Sequence, residues 1–114
     1  MIAVMFEVLP NAERREDYFR IASELRPLLD AIDGFISIER FQSWTDPGKV
    51  LSLSFWRDEA AIAQWRALEA HRSAQAQGRA RIFRDYRLRI AHVVRDYGMY
   101  ECAEGSADSR AAYS

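Results

Sequence analysis

Along this chain, runs in which apolar and polar side chains alternate are interleaved with runs in which apolar ones recur every three or four residues. Ile2 to Leu9 (IAVMFEVL) is dominated by β-branched and aromatic residues and stops at Pro10, which predicts a first strand. Pro10 and Asn11 make a turn. With Asn11 as N-cap, Tyr18, Ile21, Leu25, Leu28 and Ile32 then form the stripe of an amphipathic helix. Pro27 lies inside that stripe, where its ring removes a backbone donor, so a kink or early break is expected near Arg26. Gly34 suits a helix C-cap, and FISIERFQSW (35–44) alternates as a second strand, with Ile36 and Ile38 opposite Phe35, Ser37 and Phe41. After the turn residues Thr45, Asp46, Pro47 and Gly48, VLSLSFW (50–56) alternates again, so strands two and three form a hairpin. Asp58 caps a second helix through Ala60, Ile62, Trp65, Ala67 and Leu68 to Gly78, and YRLRIAHVVRDY (86–97) reads as a long fourth strand.

The resulting order, βαββαβ, folds most simply into a ferredoxin-like α+β domain over residues 1–97: a four-stranded antiparallel sheet with two helices on one face. Residues 98–114 show no period and form a tail, flexible or packed on a partner subunit. Strand one has large apolar side chains on both faces, Ile2, Val4, Phe6 and Val8 on one and Met5 and Leu9 on the other. An uncovered apolar sheet face marks an interface, so a homodimer is expected whose paired sheets enclose a pocket. Ser37, Ser52, Ser54, Glu7 and Glu39 would make that interior partly polar.

Composition narrows the function. The 114 residues are 49% hydrophobic and 29% charged, the balance of one globular domain. A net charge of −1 offers nucleic acid or an anionic membrane no strong field. No apolar run approaches the roughly 20 residues of a membrane span. The single cysteine, Cys102, forms no internal disulfide, which fits the cytoplasm. No metal site is expected from two distant histidines without HExxH or CxxC spacing. Glycine-rich phosphate loops are absent, and Ser52 and Ser54 lack the GxSxG context of a serine hydrolase.

The stretch FWRDEAAIAQWRALEAHRSAQAQGR, followed by YRLRIAHVVRDYG, resembles the antibiotic biosynthesis monooxygenase superfamily of dimeric α/β barrels. The resemblance runs from Ile2 to Tyr97 and includes Gly34-Phe35, Trp56 at the end of strand three and Trp65 on the second helix. It implies a cofactor-independent monooxygenase in which O2 attacks a deprotonated small phenolic or polycyclic aromatic compound, with the protein supplying a pocket, a base and oriented hydrogen bonds. Trp65 matches the helix tryptophan of those enzymes, and His71 falls where the quinone-forming members carry a tyrosine, which makes Trp65 and His71 the catalytic candidates. Glu7, Trp56, Tyr86 and Arg89 are the substrate-binding candidates. A haem-degrading branch shares Trp65, but its strand-one asparagine would fall near Glu7 and its iron-ligating histidine at Gln75. Haem is therefore the cofactor of the alternative reading, and a dimer that only binds a small ligand is a third.

Plainer readings stand beside these. Trp65, spaced helically from Ile62 and Leu68, is equally a core residue, and His71, among Glu69, Ala70, Arg72 and Ser73, equally an exposed one. His92 reads as a satisfied sheet residue. The cluster Arg79, Arg81, Arg84, Arg87 and Arg89 means either solvated ion pairs or recognition of a substrate carboxylate. Glu7 aimed into an apolar cavity would have a raised pKa and serve as a base; aimed outward it is an edge charge.

Overall fold

The computed structural model describes residues 1–75 and 83–100, with the backbone alone for 69–75. Its elements are β1 (Ile2–Pro10), a 3-10 turn (Ala12–Arg14), α1 (Arg15–Leu29), β2 (Phe35–Gln42), β3 (Val50–Trp56), α2 (Glu59–Gln75) and β4 (Phe83–His92). All pairings are antiparallel in the order β2-β3-β1-β4, so β1 lies between the two later strands β3 and β4, as the ferredoxin-like fold requires.

Cross-strand partners share a face, which locates the core. Ile2, Val4, Phe6 and Val8 stand opposite Trp56, Ser54, Ser52 and Val50. This is the helix-covered face: Ile2, Leu29, Trp56, Ala61 and Ile62 form one buried cluster, and Val8, Tyr18 and Val50 a second. Trp56 is fully enclosed, and its indole Nε1 donates to Ser54 Oγ at 2.9 Å. Ser52 and Ser54, expected from the sequence on the uncovered face, are therefore buried under the helices instead. That face carries Met5, Leu51, Leu53 and Phe55, all half-buried, with Ser37, Glu39 and Glu7.

Other departures have local causes. Asn11 opens the 3-10 turn through its carbonyl, which accepts the Arg14 N–H at 2.8 Å, so α1 starts only at Arg15. Pro27 does not break α1: it sits in the last turn, where buried Leu25 and Leu29 hold the helix against the sheet. Strand ends follow the partner's length. β2 stops at Gln42 because its last partner, Val50, begins β3, and β4 stops at His92 opposite Ile2, where β1 begins. A final bond from Val93 N–H to Met1 O closes the ladder, and Val94 lies in solvent.

Simple alternation also fails in β2. Phe35 pairs with Trp56 and Ser37 with Phe55, so Ile36 is an extra residue, a bulge, and it is half exposed. Phe35 and Ile38 consequently share the helix face and pack on the same cluster. Just before the bulge, Gly34 has φ +98°, and a Cβ there would stand 2.8 Å from that of Ala61, so only glycine fits this junction.

The junction is clasped by Arg57, whose guanidinium donates to both carboxylate oxygens of Asp33 at 3.1 Å and to Asp58 at 3.0 Å. Asp58 in turn caps α2 by accepting the Ala61 N–H at 3.0 Å, as the sequence predicts. That N–H, followed by Arg57, holds the Asp58 carboxyl below its usual value of 3.8, and Arg57 does the same for Asp33. A carboxylate with a lowered folded pKa contributes stability that is complete above the unfolded value and disappears as pH falls through the folded one. Asp58→Ala is therefore expected to lower the thermal midpoint at neutral pH, with its gap from wild type closing as pH drops below 3.8. Thermal melts followed by circular dichroism across that range check this; a gap independent of pH would show that the charge contributes nothing.

Candidate functional site

Serines at two central positions of β3 hollow the middle of the helix-covered face. Ser52 and Ser54 lie beside Phe6 and Val4, and over them opens a cleft of about 380 Å³ between the sheet and its own two helices. Tyr18, Ala22 and Leu25 of α1 and Ile62 and Trp65 of α2 form the roof. One end is closed by an aromatic group in which Phe6, Phe83 and Tyr86 stand with ring centres 5.6–6.2 Å apart and Tyr18 meets Phe83 at 5.8 Å. Along edge strand β4 the wall is open, and Tyr86, Leu88 and Ile90 line the cleft while remaining partly exposed. Its chemistry is that of a site for a small, largely apolar molecule.

Two guanidiniums are the charged groups among the described lining residues: Arg40 of β2 and Arg66 of α2. Arg40 stands directly across from Ser52, and its Nε is buried without a hydrogen-bond partner.

The residues singled out by sequence separate into two groups. Trp65 and Tyr86 line the cleft. Trp56 stands behind it as core, its ring centre 6.4 Å from that of Trp65. Glu7 and Arg89 lie on the opposite face of the sheet, where Arg89 Nη1 donates to Glu7 Oε2 at 3.1 Å and Lys49 Nζ stands 3.7 Å away. The hydrogen bond from Arg89 holds the Glu7 carboxyl below its usual value, the reverse of what an apolar cavity would impose. Glu7 and Arg89 are thus partners on the sheet face away from this cleft, not among its lining. Arg87 shares this outer face, and Arg84 is exposed. His92 ends β4, exposed.

His71 lies on α2, but its side chain, like that of Gln75, is outside the described residues, as are Gly78, Arg79, Arg81 and the tail from Glu101, including Cys102. Sequence reasoning passed over Arg40 and Arg66. Arg40 had a signal: it lies two residues after Ile38, hence on the same strand face as an obvious core position.

Fold and cleft together define a ferredoxin-like domain with a largely apolar cleft between its sheet and helices. Known proteins make the class specific. The family described as "Antibiotic biosynthesis monooxygenase" matches residues 1–77. The jasmonate monooxygenase ABM of Pyricularia oryzae is 46% identical over 93 residues, 82% of this chain and 43% of that protein, so the chain spans less than half of that relative's length. This chain belongs to the antibiotic biosynthesis monooxygenase family.

Two solved structures show the same fold. Rv0793 of Mycobacterium tuberculosis superposes with a TM-score of 0.71 at 16% identity, over 85% of this chain and 98% of its own. An MhuD mutant with two manganese protoporphyrin IX groups per active site does so with 0.67 at 15%, over 86% and 99%. Among the described residues no helix is long and apolar enough to cross a membrane, and no group of three His, Cys, Asp or Glu is placed to hold a metal ion.

Proposed function

We propose that this chain is a monooxygenase that oxidises a small ring-bearing compound with O2 inside the cleft and without a resident cofactor. The observation that carries this reading is an aromatic, largely apolar cleft of about 380 Å³ within a single chain of an antibiotic biosynthesis monooxygenase family member. A phenolic or polycyclic aromatic substrate, reacting as its phenol tautomer, gives up its O–H hydrogen and the hydrogen of one ring carbon, that carbon gains a carbonyl oxygen, and the second oxygen atom leaves as water. The four electrons come from the substrate, so no external reductant is needed. Trp65 and Tyr86 hold the ring by stacking, and His71 on α2 is the proton acceptor. Jasmonate, from the relative's name, is a second candidate substrate; it has no phenol to supply the electrons, so its conversion to an alcohol and water takes a two-electron external reductant, which is added with it in the assay.

The uncovered sheet face, with Met5, Leu51, Leu53 and Phe55, pairs with a second copy. In this reading the dimer supports the site from outside, and each cleft lies within one chain. Purified protein incubated under 18O2 with an anthrone, 1-naphthol and jasmonate is expected to release a product carrying one labelled oxygen, and light scattering to give twice the 13.2 kDa chain mass. No labelled product from any of the three sinks the oxygenase reading; a mass of 13.2 kDa sinks the dimer.

A further inference from the structure

Among the described residues, neither arginine of the cleft has an acidic partner. The guanidiniums of Arg14, Arg20, Arg26, Arg57 and Arg89 are each tied to a carboxylate, whereas Arg40 and Arg66 make no ion pair among the described residues. The described lining of the cleft contains no Asp or Glu at all. A guanidinium held partly out of water with its Nε unbonded is costly unless something satisfies it. Because folding has already stripped water from that atom, an anion binding there avoids part of the usual desolvation cost.

We propose that the cleft selects a carboxylate-bearing substrate, an apolar ring with a short acidic arm, whose carboxylate is received by Arg40 beside the Ser52 hydroxyl while Arg66 supplies a second positive charge. This rests on the cleft being the substrate site. The geometry favours a carboxylate: Arg40 presents its donors as a planar fork from one strand, and the neighbouring Ser52, 7% exposed, adds a hydroxyl from the next. The apolar roof and the aromatic end then take the ring. Carboxylate recognition, which the sequence attached to the arginines of β4, is thereby moved to β2 and α2, since Arg87 and Arg89 face away from the cleft.

The test is binding, measured by isothermal titration calorimetry with 3-phenylpropanoate and its methyl ester and with jasmonate and methyl jasmonate. Wild type is expected to prefer each acid over its ester by roughly ten- to a hundredfold, the range of a charge-assisted hydrogen bond. Arg40→Gln is expected to erase that preference, so that acid and ester bind alike, and Arg40→Lys to retain part of it. Equal binding of acid and ester by wild type overturns the proposal whether or not the variants fold, as does a preference that survives in folded Arg40→Gln or no binding of any of the four. An acid preference that depends on Arg40, without turnover under O2, upholds this inference and removes the oxygenase reading. Turnover without that preference does the reverse.

Discussion

Trp56→Ala is expected to cost about 3–5 kcal/mol, the range for deleting a fully buried large aromatic side chain. The indole is inaccessible to solvent and meets Phe35 edge-to-face at 5.2 Å. Its N–H is bonded to Ser54, so the truncation also leaves a buried hydroxyl without its donor. Ile2, Leu29 and Ile62 come from three different elements, and relaxation of any one of them into the void would disturb its own packing. Set against a total stability of about 5–15 kcal/mol, the loss brings the domain close to unfolding. Urea titrations of both proteins check it: the midpoint is expected to fall steeply with little change in slope. A loss under about 1 kcal/mol would mean that the cluster is not the centre of the core.

Ala22→Phe is expected to leave the domain folded and to reduce turnover by roughly a hundredfold or more, since a misplacement of about 1 Å at a reacting centre already has such an effect. Ala22 is buried on α1 and forms part of the cleft roof, so a benzyl group there occupies the volume that the substrate needs. Overpacking of a filled core costs about 1–3 kcal/mol, but here the added ring projects into open space, so the cost lies at or below the low end. Steady-state kinetics beside a thermal melt separate the two effects. Undiminished kcat/KM in a folded variant would place the chemistry elsewhere on the molecule.

Much of the architecture is legible in the chain because alternation and helical spacing are local properties. β3 matches the reading from Val50 to Trp56, and the cap at Asp58 has its hydrogen bond. What local pattern cannot supply is the partner. The overlong second and fourth strands were read to Trp44 and Tyr97, but a strand ends where its neighbour does. Alternation separated Ser52 and Ser54 from Leu51, Leu53 and Phe55 without saying which set the helices cover. The helices cover the serines, because Ile2, Val4, Val8 and Trp56 share their face and need burial more.

The same gap explains the arginines. A crowded run on β4 draws the eye in sequence, yet its outward members Arg87 and Arg89 sit beside Glu7 across the strand pair. Arg40 and Arg66, isolated in sequence, converge only through the fold. Trp65 and Tyr86 were legible from the family resemblance and from strand position, and both reach the cleft.

The extra residue at Ile36 sets Phe35 apart from the rest of β2, Ser37 to Gln42, so that the two are phased independently. Upstream, Phe35 is locked to Trp56; downstream, the side-chain phase of Ile38 and Arg40 is set by the 43–49 hairpin, where the Ser43 and Lys49 backbones and the Gln42 side chain are hydrogen-bonded. Changes in chain length at position 36 would be absorbed at the bulge without turning Arg40 over. Given the proposed role of Arg40, variation in ligand preference can therefore accumulate at the β2 positions after the bulge while Phe35, committed to the core, stays as it is.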